Sequence, residues 1–356
     1  MRKATMRNVS EATGFSMFTV SRALNGGDGV SEESRELILK VARELGYVPN
    51  RAAQALRRSS RDSVAVITAH ASNSYYLNLM SGIQQILQPS QWTVVLGDIA
   101  VNGTYERAQE ARMINRLIES RMAGIISTVT LQPESLELLA KWEIPVVFVD
   151  SPPQGKHDFP SVTTDNYNAS LLVGNHLAQH GYKDWLLLIY PDRWTTRFER
   201  ERGISDAAHR CGAKLQILET DNDAVSASDK LGQYFDQREK LPDVLIAGNN
   251  PILLGSLKQL QQRGITIPTD IALVSYDEFD WAPLLNPPLT VLNENSEEIG
   301  RQAANMLIRL IKKEENAEGL TAVDTQRRVP AELVIRQSCG CCNSGEKSGE
   351  ITEQSI

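Results

Sequence analysis

The chain has 356 residues, 41% hydrophobic and 23% charged, with a net charge of −7. That length allows more than one core. No apolar run of about 18 residues is present to span a bilayer, and four cysteines are too few for a disulfide framework. The charge is uneven: residues 1–61 carry 11 Lys or Arg against 6 Asp or Glu, so a head of +5 rides on a body of −12. Phosphate-attracting charge is therefore local to the head.

The first residues, MRKATMRNVSEATG, lack the apolar core of a signal segment, so a cytoplasmic location is expected. Three short helices follow. The first runs from about Met6 to Thr13, with Thr5 as N-cap and Gly14 as its closure. Ser16 caps a second, Met17 to about Asn25. The third begins after Ser31, carries Glu32 and Glu33 in its positive first turn and ends before Gly46. Its residues Ile38, Val41, Ala42 and Leu45 form one inward stripe, and Val9, Ala12, Val20, Ala23 and Leu24 complete a small core.

That packing leaves Met17, Phe18, Ser21, Arg22 and Asn25 on the outer face of the second helix. A helix-turn-helix unit lays such a face in the major groove. Arg22 can donate two hydrogen bonds to the O6 and N7 of a guanine, and Thr19 and Asn25 suit phosphates. A small helical lid with a solvated face is the alternative, but it gives no reason to display a Met-Phe pair to water. In the next stretch, GYVPNRAAQALRRSSRDS, Pro49 ends the preceding segment and Asn50 can cap RAAQALRR. Those helix formers are too few for an isolated helix in water and need a partner to fold. Ser59, Ser60 and Ser63 mark a boundary.

From Ser63 onward, short apolar runs (SVAVITA, WTVVLGD, AGIIST, IPVVFVD, WLLLIY, KLQILE, DVLIAG, DIALVSYD) read as strands buried on both faces. Amphipathic stretches such as ERAQEARMINRLIES, NASLLVGNHLAQHG and NPILLGSLKQLQQRG lie between them, which predicts doubly wound parallel α/β units in two lobes with a cleft. Ligands of open α/β folds sit at the carboxyl ends of strands, where Thr128, Asp150, Asn249 and Asp277 fall. Carboxylates and an amide there suit sugar hydroxyls, although such residues also serve merely as helix caps. Near the end, Cys339, Cys341 and Cys342 cluster as CGCC, far from Cys211. A reduced, solvent-exposed tail is expected, with no metal and no other cofactor. The closing residues contain no apolar heptad, so a homodimer through the body is expected rather than a tetramer.

The stretch TMRNVSEATGFSMFTVSRALNGGDGVSEESRELILKVARELGYVPNRAAQAL resembles, without gaps, the N-terminus of the lactose-repressor (LacI/GalR) family of bacterial transcription regulators. The spacing of Thr5, Val9, Gly14, Ser16, TVSR, Asn25, Val30-Ser31, LGY, PN and Leu56 carries the likeness. AGNNPILLGSLKQLQQRGITIPTDIALVSYDEF and PPLTVLNENSEEIGRQAANMLIRLI resemble the family's later landmarks.

The resemblance implies a helix-turn-helix headpiece followed by a two-lobed α/β body of the periplasmic-binding-protein type (type I), whose chain crosses between lobes three times. The expected limits are headpiece 1–49, hinge 50–61, body 62–340 and a disordered tail at 341–356. Within the body, the N-lobe is expected at about 62–160 and 293–325 and the C-lobe at about 161–292 and 326–340. The DNA-binding set is Thr5, Ser16, Met17, Phe18, Thr19, Ser21, Arg22, Asn25, Tyr47, Asn50, Ala53 and Leu56. In the family the hinge folds on operator DNA, a leucine at the place of Leu56 wedges into the minor groove, and Ala53 matches a close-contact position beside it. Phe18 departs from the family, which usually has a smaller or hydrogen-bonding residue there.

For the cleft, the resemblance adds Tyr75 and Tyr76 from SNSYYLNLMSGI, and Arg200 from RWTTRFERERGISDA, to Thr128, Asp150, Asn249 and Asp277. Asn222 stands where several relatives place a stacking aromatic. Arg193, Arg197 and Arg202 flank Arg200, and surface pairing with Glu199 and Glu201 is the plain reading of them.

The expected function is a DNA-binding transcriptional regulator, a repressor of carbohydrate or central carbon metabolism genes. Its partners would be a pseudo-palindromic double-stranded operator and a small effector, with no membrane. Arg200, with Arg193 and Arg197 adding positive potential, favours a sugar acid or sugar phosphate. A neutral sugar or a purine is the alternative effector. A sugar-binding transport protein shares the body but not the basic head, and a cytosolic enzyme is disfavoured because no phosphate-binding glycine motif or nucleophile elbow is present.

Overall fold

The computed structural model describes residues 4–48, 62–68, 73–90, 92–101, 104–105, 107–153, 159–192, 194–312 and 325–341. The expected hinge residues Asn50, Ala53 and Leu56, the flanking Arg193, and Cys342 with the rest of the tail lie outside them. The chain divides into two units, Met1–Arg61 and Asp62–Ile356. No described helix is long and apolar enough to cross a membrane.

The first unit holds α1 (Met6–Thr13), α2 (Met17–Leu24) and α3 (Glu32–Glu44). Each starts on a side-chain oxygen that satisfies an orphan amide. Thr5 accepts from the Asn8 amide at 3.3 Å while the Asn8 side chain accepts from the Thr5 amide at 2.9 Å. Ser16 accepts from the Thr19 amide at 3.1 Å, and Ser31 from the Ser34 amide at 3.3 Å. Val9, Val20, Ala23, Ile38 and Ala42 form the core, with Met6, Phe15, Leu24, Val30 and Tyr47 packed against it. Three inward expectations are corrected. Ala12 and Leu45 are exposed and Val41 is only half-buried. The larger side chains of Phe15 and Tyr47, arriving from the turns, pack against this small core instead.

The second unit contains β1 (Ser63–Thr68), α4 (Ser74–Leu87), β2 (Thr93–Asp98), the hairpin strands β3 (Ala100–Val101) and β4 (Thr104–Tyr105), and α5 (Arg107–Glu119). Next come β5 (Gly124–Ser127), α6 (Pro133–Lys141), β6 (Val146–Val149), β7 (Ser161–Thr164), α7 (Asn166–Gln179), β8 (Asp184–Ile189), α8 (Thr196–Cys211) and β9 (Lys214–Glu219). The chain continues through α9 (Ala224–Asp236), β10 (Val244–Ala247), α10 (Asn250–Gln262), β11 (Ala272–Tyr276), β12 (Thr290–Asn293), α11 (Ser296–Lys312), β13 (Gln326–Val329) and β14 (Glu332–Val334).

Two six-stranded sheets result, ordered β13-β7-β6-β5-β1-β2 and β14-β12-β11-β10-β8-β9. Counted along the chain, the first five strands of each sheet lie in the order 2-1-3-4-5, a doubly wound arrangement with its switch point beside the first strand. All the expected apolar runs form strands. The central strands β5, β10 and β11 are wholly buried. Burial on both faces fails for β2 and β9, because each lies at a sheet edge and has a neighbour on one flank only.

The chain passes between sheets after β7, after β12 and between β13 and β14, three crossings as expected. The lobe limits move, however. β7 (Ser161–Thr164) and β13 (Gln326–Val329) pair with each other in the first sheet, not the second, so these crossings come four residues later than 160 and 325. In the first lobe, α4 and α11 meet at two glycines: a methyl on Gly82 would strike the Glu297 carbonyl, and one on Gly300 the Leu79 carbonyl.

Candidate functional site

In the first unit, α2 turns Val20 and Ala23 inward, so its helical repeat turns Met17 and Phe18 outward, 46% and 67% exposed. The Arg22 guanidinium lies 4.8 Å from the centre of the Phe18 ring, holding a cation and an aromatic face together on one surface. Ser21 and Asn25 sit beside them, joined at 3.3 Å. Thr5 and Ser16 are exposed at helix starts, and Thr19 is hydrogen-bonded to Ser16 at 2.9 Å. Tyr47 is half-buried against the core. The sequence reading missed Arg35, which donates to the Ala23 carbonyl at 3.1 Å and the Gly27 carbonyl at 2.8 Å. It thereby satisfies carbonyls at the C-terminal end of α2 and fixes that helix on α3.

In the second unit, one cavity lies between the lobes, and all eight residues expected there line it: Tyr75, Tyr76, Thr128, Asp150, Arg200, Asn222, Asn249 and Asp277. The doubly wound topology explains their convergence, since strand ends of both sheets face the cleft. Thr128 follows β5 and Asp150 follows β6, whereas Asn249 follows β10 and Asp277 follows β11, the matching places in the second sheet. Asp150 and Asp277 both adopt left-handed backbone, at φ 62° and 68°. Non-glycine residues seldom adopt this conformation, Asp more readily than most, and it concentrates at functional sites.

Asp150 accepts from the Tyr75 hydroxyl, from Thr163 Oγ1 at 3.1 Å and from the Thr164 amide at 3.4 Å. Burial nevertheless raises its carboxyl above the ordinary value. Asp277 accepts from the Asn250 amide at 3.1 Å. Asn249 caps α10 through the Ile252 amide at 3.1 Å and donates to Asn222 at 2.6 Å, so here capping and cavity lining coincide.

Arg200 differs from expectation. It is buried, and each of its nitrogens donates inside the protein: Nε to Asn166 Oδ1 at 2.8 Å, Nη1 to the Gly248 carbonyl at 2.8 Å and Nη2 to Glu294 Oε1 at 2.7 Å. Asn166 follows the first crossing and Glu294 begins the second, so Arg200 ties two crossing segments to the second lobe. Glu294 is itself buried, with its carboxyl pushed well above the usual range by burial and by the neighbouring charge of Asp277. Arg197 adds no free charge at the entrance, because Glu201 at 3.1 Å and Glu219 pair with it. Glu199 pairs across the lobes with Arg328 at 2.7 Å rather than with a nearby arginine, and Arg202 lies over the Tyr167 ring.

Asn73, Ser151, Tyr190, Trp194 and Thr196 complete the lining and were missed, as was Glu294 beneath it. The strand-end rule that selects Asp150 also reaches Tyr190, after β8, and Glu294, after β12. Trp194 and Thr196 lie in a turn and at a helix start, for which no local pattern exists.

Residues 5–50 match the model of bacterial regulatory proteins of the lacI family, and residues 61–333 match that of periplasmic binding proteins and the sugar binding domain of the LacI family. The chain is 25% identical over 337 residues to the HTH-type transcriptional repressor CytR of Escherichia coli (strain K12), covering 94% of this chain and 96% of that one. It is 27% identical over 315 residues to the ribose operon repressor of Bacillus subtilis (strain 168), covering 88% and 94%. Its fold is similar to that of the lac repressor dimer bound to operator and an anti-inducer, with TM-score 0.79, 22% identity and coverage of 95% and 99%.

Proposed function

Because the chain belongs to the LacI family of bacterial regulatory proteins, we propose that it is a homodimeric repressor that reads a pseudo-palindromic operator and answers to a neutral polyhydroxylated effector held between its lobes. It is a DNA-binding transcriptional regulator, and the relatives it matches are regulators, not enzymes. Its place of action is the cytoplasm, where the operator is.

For DNA, the support is the exposed Met17, Phe18 and Arg22 face on a basic head. Thr5, Ser16, Thr19, Ser21, Asn25, Tyr47 and Asn50 are the further DNA contacts in this reading, with Leu56 wedged in the minor groove and Ala53 beside it.

For the effector, the carrying observation is the state of Arg200. Every nitrogen of the guanidinium has a partner, while Asp150, Asp277 and Glu294 bring three carboxyl groups to one region. A ligand carboxylate or phosphate has to compete with the partners already held by all three guanidinium nitrogens, beside the carboxyl groups of Asp150 and Asp277. A neutral sugar supplies hydroxyl donors for Asp150 and Asp277 and a ring face for Tyr75, Tyr76, Tyr190 and Trp194. This replaces the sugar acid or phosphate that the sequence suggested. A sugar as the ligand also accords with a relative named as a ribose operon repressor.

The test is a thermal-shift screen of the full chain with neutral pentoses and hexoses, sugar acids, sugar phosphates and nucleosides. Hits are followed by operator binding with sites selected from genomic DNA. A neutral sugar at a hundred times its Kd should raise Tm by roughly 4 °C and change operator affinity. Response to anionic sugars alone overturns the ligand class. Failure to select any palindromic site overturns the regulator reading.

A further inference from the structure

At the end of the second lobe away from the cleft, α7 and the chain's closing turn bring two histidines and two cysteines together. His176 and His180 stand one turn apart on or just beyond α7, and Cys339 and Cys341 frame a single glycine. One ligand atom from each lies within 4.8 Å of all the others. The Nε2 atoms of the two imidazoles are 3.3 Å apart. Cys339 Sγ is 3.3 Å from His176 Nε2, and Cys341 Sγ is 3.3 Å from His180 Nε2 and 3.9 Å from His176 Nε2.

A tetrahedral ion with Zn–N near 2.05 Å and Zn–S near 2.3 Å requires about 3.3 Å between its nitrogens and about 3.6 Å between nitrogen and sulfur. The four separations above lie within about 0.3 Å of those edges, and the other two, Cys339 to Cys341 and Cys339 to His180, are within 4.8 Å. From this geometry we infer that His176, His180, Cys339 and Cys341 form a structural zinc site that fastens the C-terminal turn to the second lobe.

The surroundings fit that reading. Four protein ligands close the coordination sphere and leave no open position, as in structural rather than catalytic zinc sites. Two thiolates and two neutral imidazoles cancel the dication, so the complex is neutral where Cys339 is fully buried. Binding releases the two thiol protons to water. Thr290 Oγ1 donates to Cys339 Sγ at 3.1 Å, a supporting contact of the kind metal thiolates attract. The Tyr182 ring stacks on His180 at 5.3 Å and 9°, and its hydroxyl donates to the Cys339 carbonyl at 2.9 Å, holding both halves in place.

Gly340 turns the chain at φ 94°, a left-handed conformation, and a Cβ there would press on the Tyr182 hydroxyl. Ser338 is laced to the first residues of β11 and β12 through the Leu273 carbonyl at 2.6 Å and the Thr290 amide at 2.8 Å. Those strand starts lie opposite the ligand cleft, which separates this site from the effector. Cys339 is thus not part of a solvent-exposed tail, as the sequence suggested. The sequence hid the site because its halves are about 160 residues apart.

The experiment is metal analysis of the full chain, purified without chelator on a tag free of histidine. About one zinc per chain is expected. Cys341→Ser and His180→Ala should lose most of it, whereas Cys211→Ser and Cys342→Ser keep it. In wild type stripped of metal, added cobalt should give the visible bands of a tetrahedral site with thiolate charge transfer, a readout that needs no variant to fold. Stripping should also lower Tm by at least about 4 °C. Zinc-free protein with no cobalt–thiolate bands overturns the proposal, as does a Cys339–Cys341 disulfide in the purified chain or loss of zinc in Cys342→Ser.

Discussion

At Arg200 a buried guanidinium and a buried carboxylate, Glu294, stand 2.7 Å apart, each with further partners. Removing one member of such a pair leaves the other charged and dry, at a cost of about 3–5 kcal/mol. Glu294→Ala should therefore lower unfolding free energy in urea by that order, and Glu294→Gln, which keeps an acceptor, by clearly less. The pair also sets a pH dependence. The carboxyl of Glu294 is raised in the folded protein, so its stabilising contribution is complete below the ordinary carboxylate value and is lost as pH rises through the raised folded value. Unfolding measured from pH 5 to 8, the range above the ordinary carboxylate value of ~4.3, should show wild-type stability falling relative to Glu294→Gln as pH increases. A constant difference would show that Glu294 does not titrate in that window. On the DNA-reading helix, Arg22→Ala should cost about 1–3 kcal/mol in specific operator binding for each guanine contacted. Unchanged affinity and footprint would remove α2 from the major groove.

At the scale of elements, the crossing of α4 over α11 depends on two missing side chains. Replacing glycine by alanine inside a helix ordinarily gains about 0.5–1 kcal/mol. At Gly82 and Gly300 the added methyl would meet backbone carbonyls of the facing helix, which cannot move as a flexible side chain would. Gly82→Ala or Gly300→Ala should instead destabilise the chain by about 1–3 kcal/mol, read as a lower denaturation midpoint with an unchanged slope. In the headpiece, α2 is held from its far end by Arg35 as well as by its Ser16 cap. The headpiece interior is small, so such polar fastenings carry a larger share of its stability than they would in the body.

For the whole molecule, the lobes are joined by three crossings and by contacts across the cleft. Thr195 Oγ1 donates to the Asp150 carbonyl at 3.0 Å, and Glu199 pairs with Arg328. A ligand bridging Asp150 and Asp277 binds both lobes at once, so it favours the lobe arrangement that best satisfies both. Coupling between effector and operator is then reciprocal: whatever factor the effector imposes on operator affinity, the operator must impose on effector affinity. Calorimetry with and without operator DNA should return equal factors, and unequal ones would exclude a simple two-state linkage. Light scattering in reducing buffer should give a dimer, and a tetramer there would require an assembly surface beyond the body.

The sequence alone determined what depends on near neighbours. Helix caps at Thr5, Ser16 and Ser31, the outward face of α2, the apolar strands and the polar residues at their ends are all encoded within a few positions, and the structure carries each of them. The tertiary structure decided which of these residues engage one another. Arg200 meets Asn166, Gly248 and Glu294, which lie 34, 48 and 94 residues away. β13, with the polar sequence QRRV, joins the first sheet at its edge, where no apolar pattern is required, and covers β7, whose sequence SVTT carries no apolar run although it is mostly buried. His176 and Cys339 approach across 163 residues. No local period specifies such meetings, because they follow from the order in which strands pack and chain crossings return. The fold and the location of the cleft were therefore legible in advance, whereas the partners of Arg200 within the cleft and the four-ligand cluster became visible only once the chain had closed on itself.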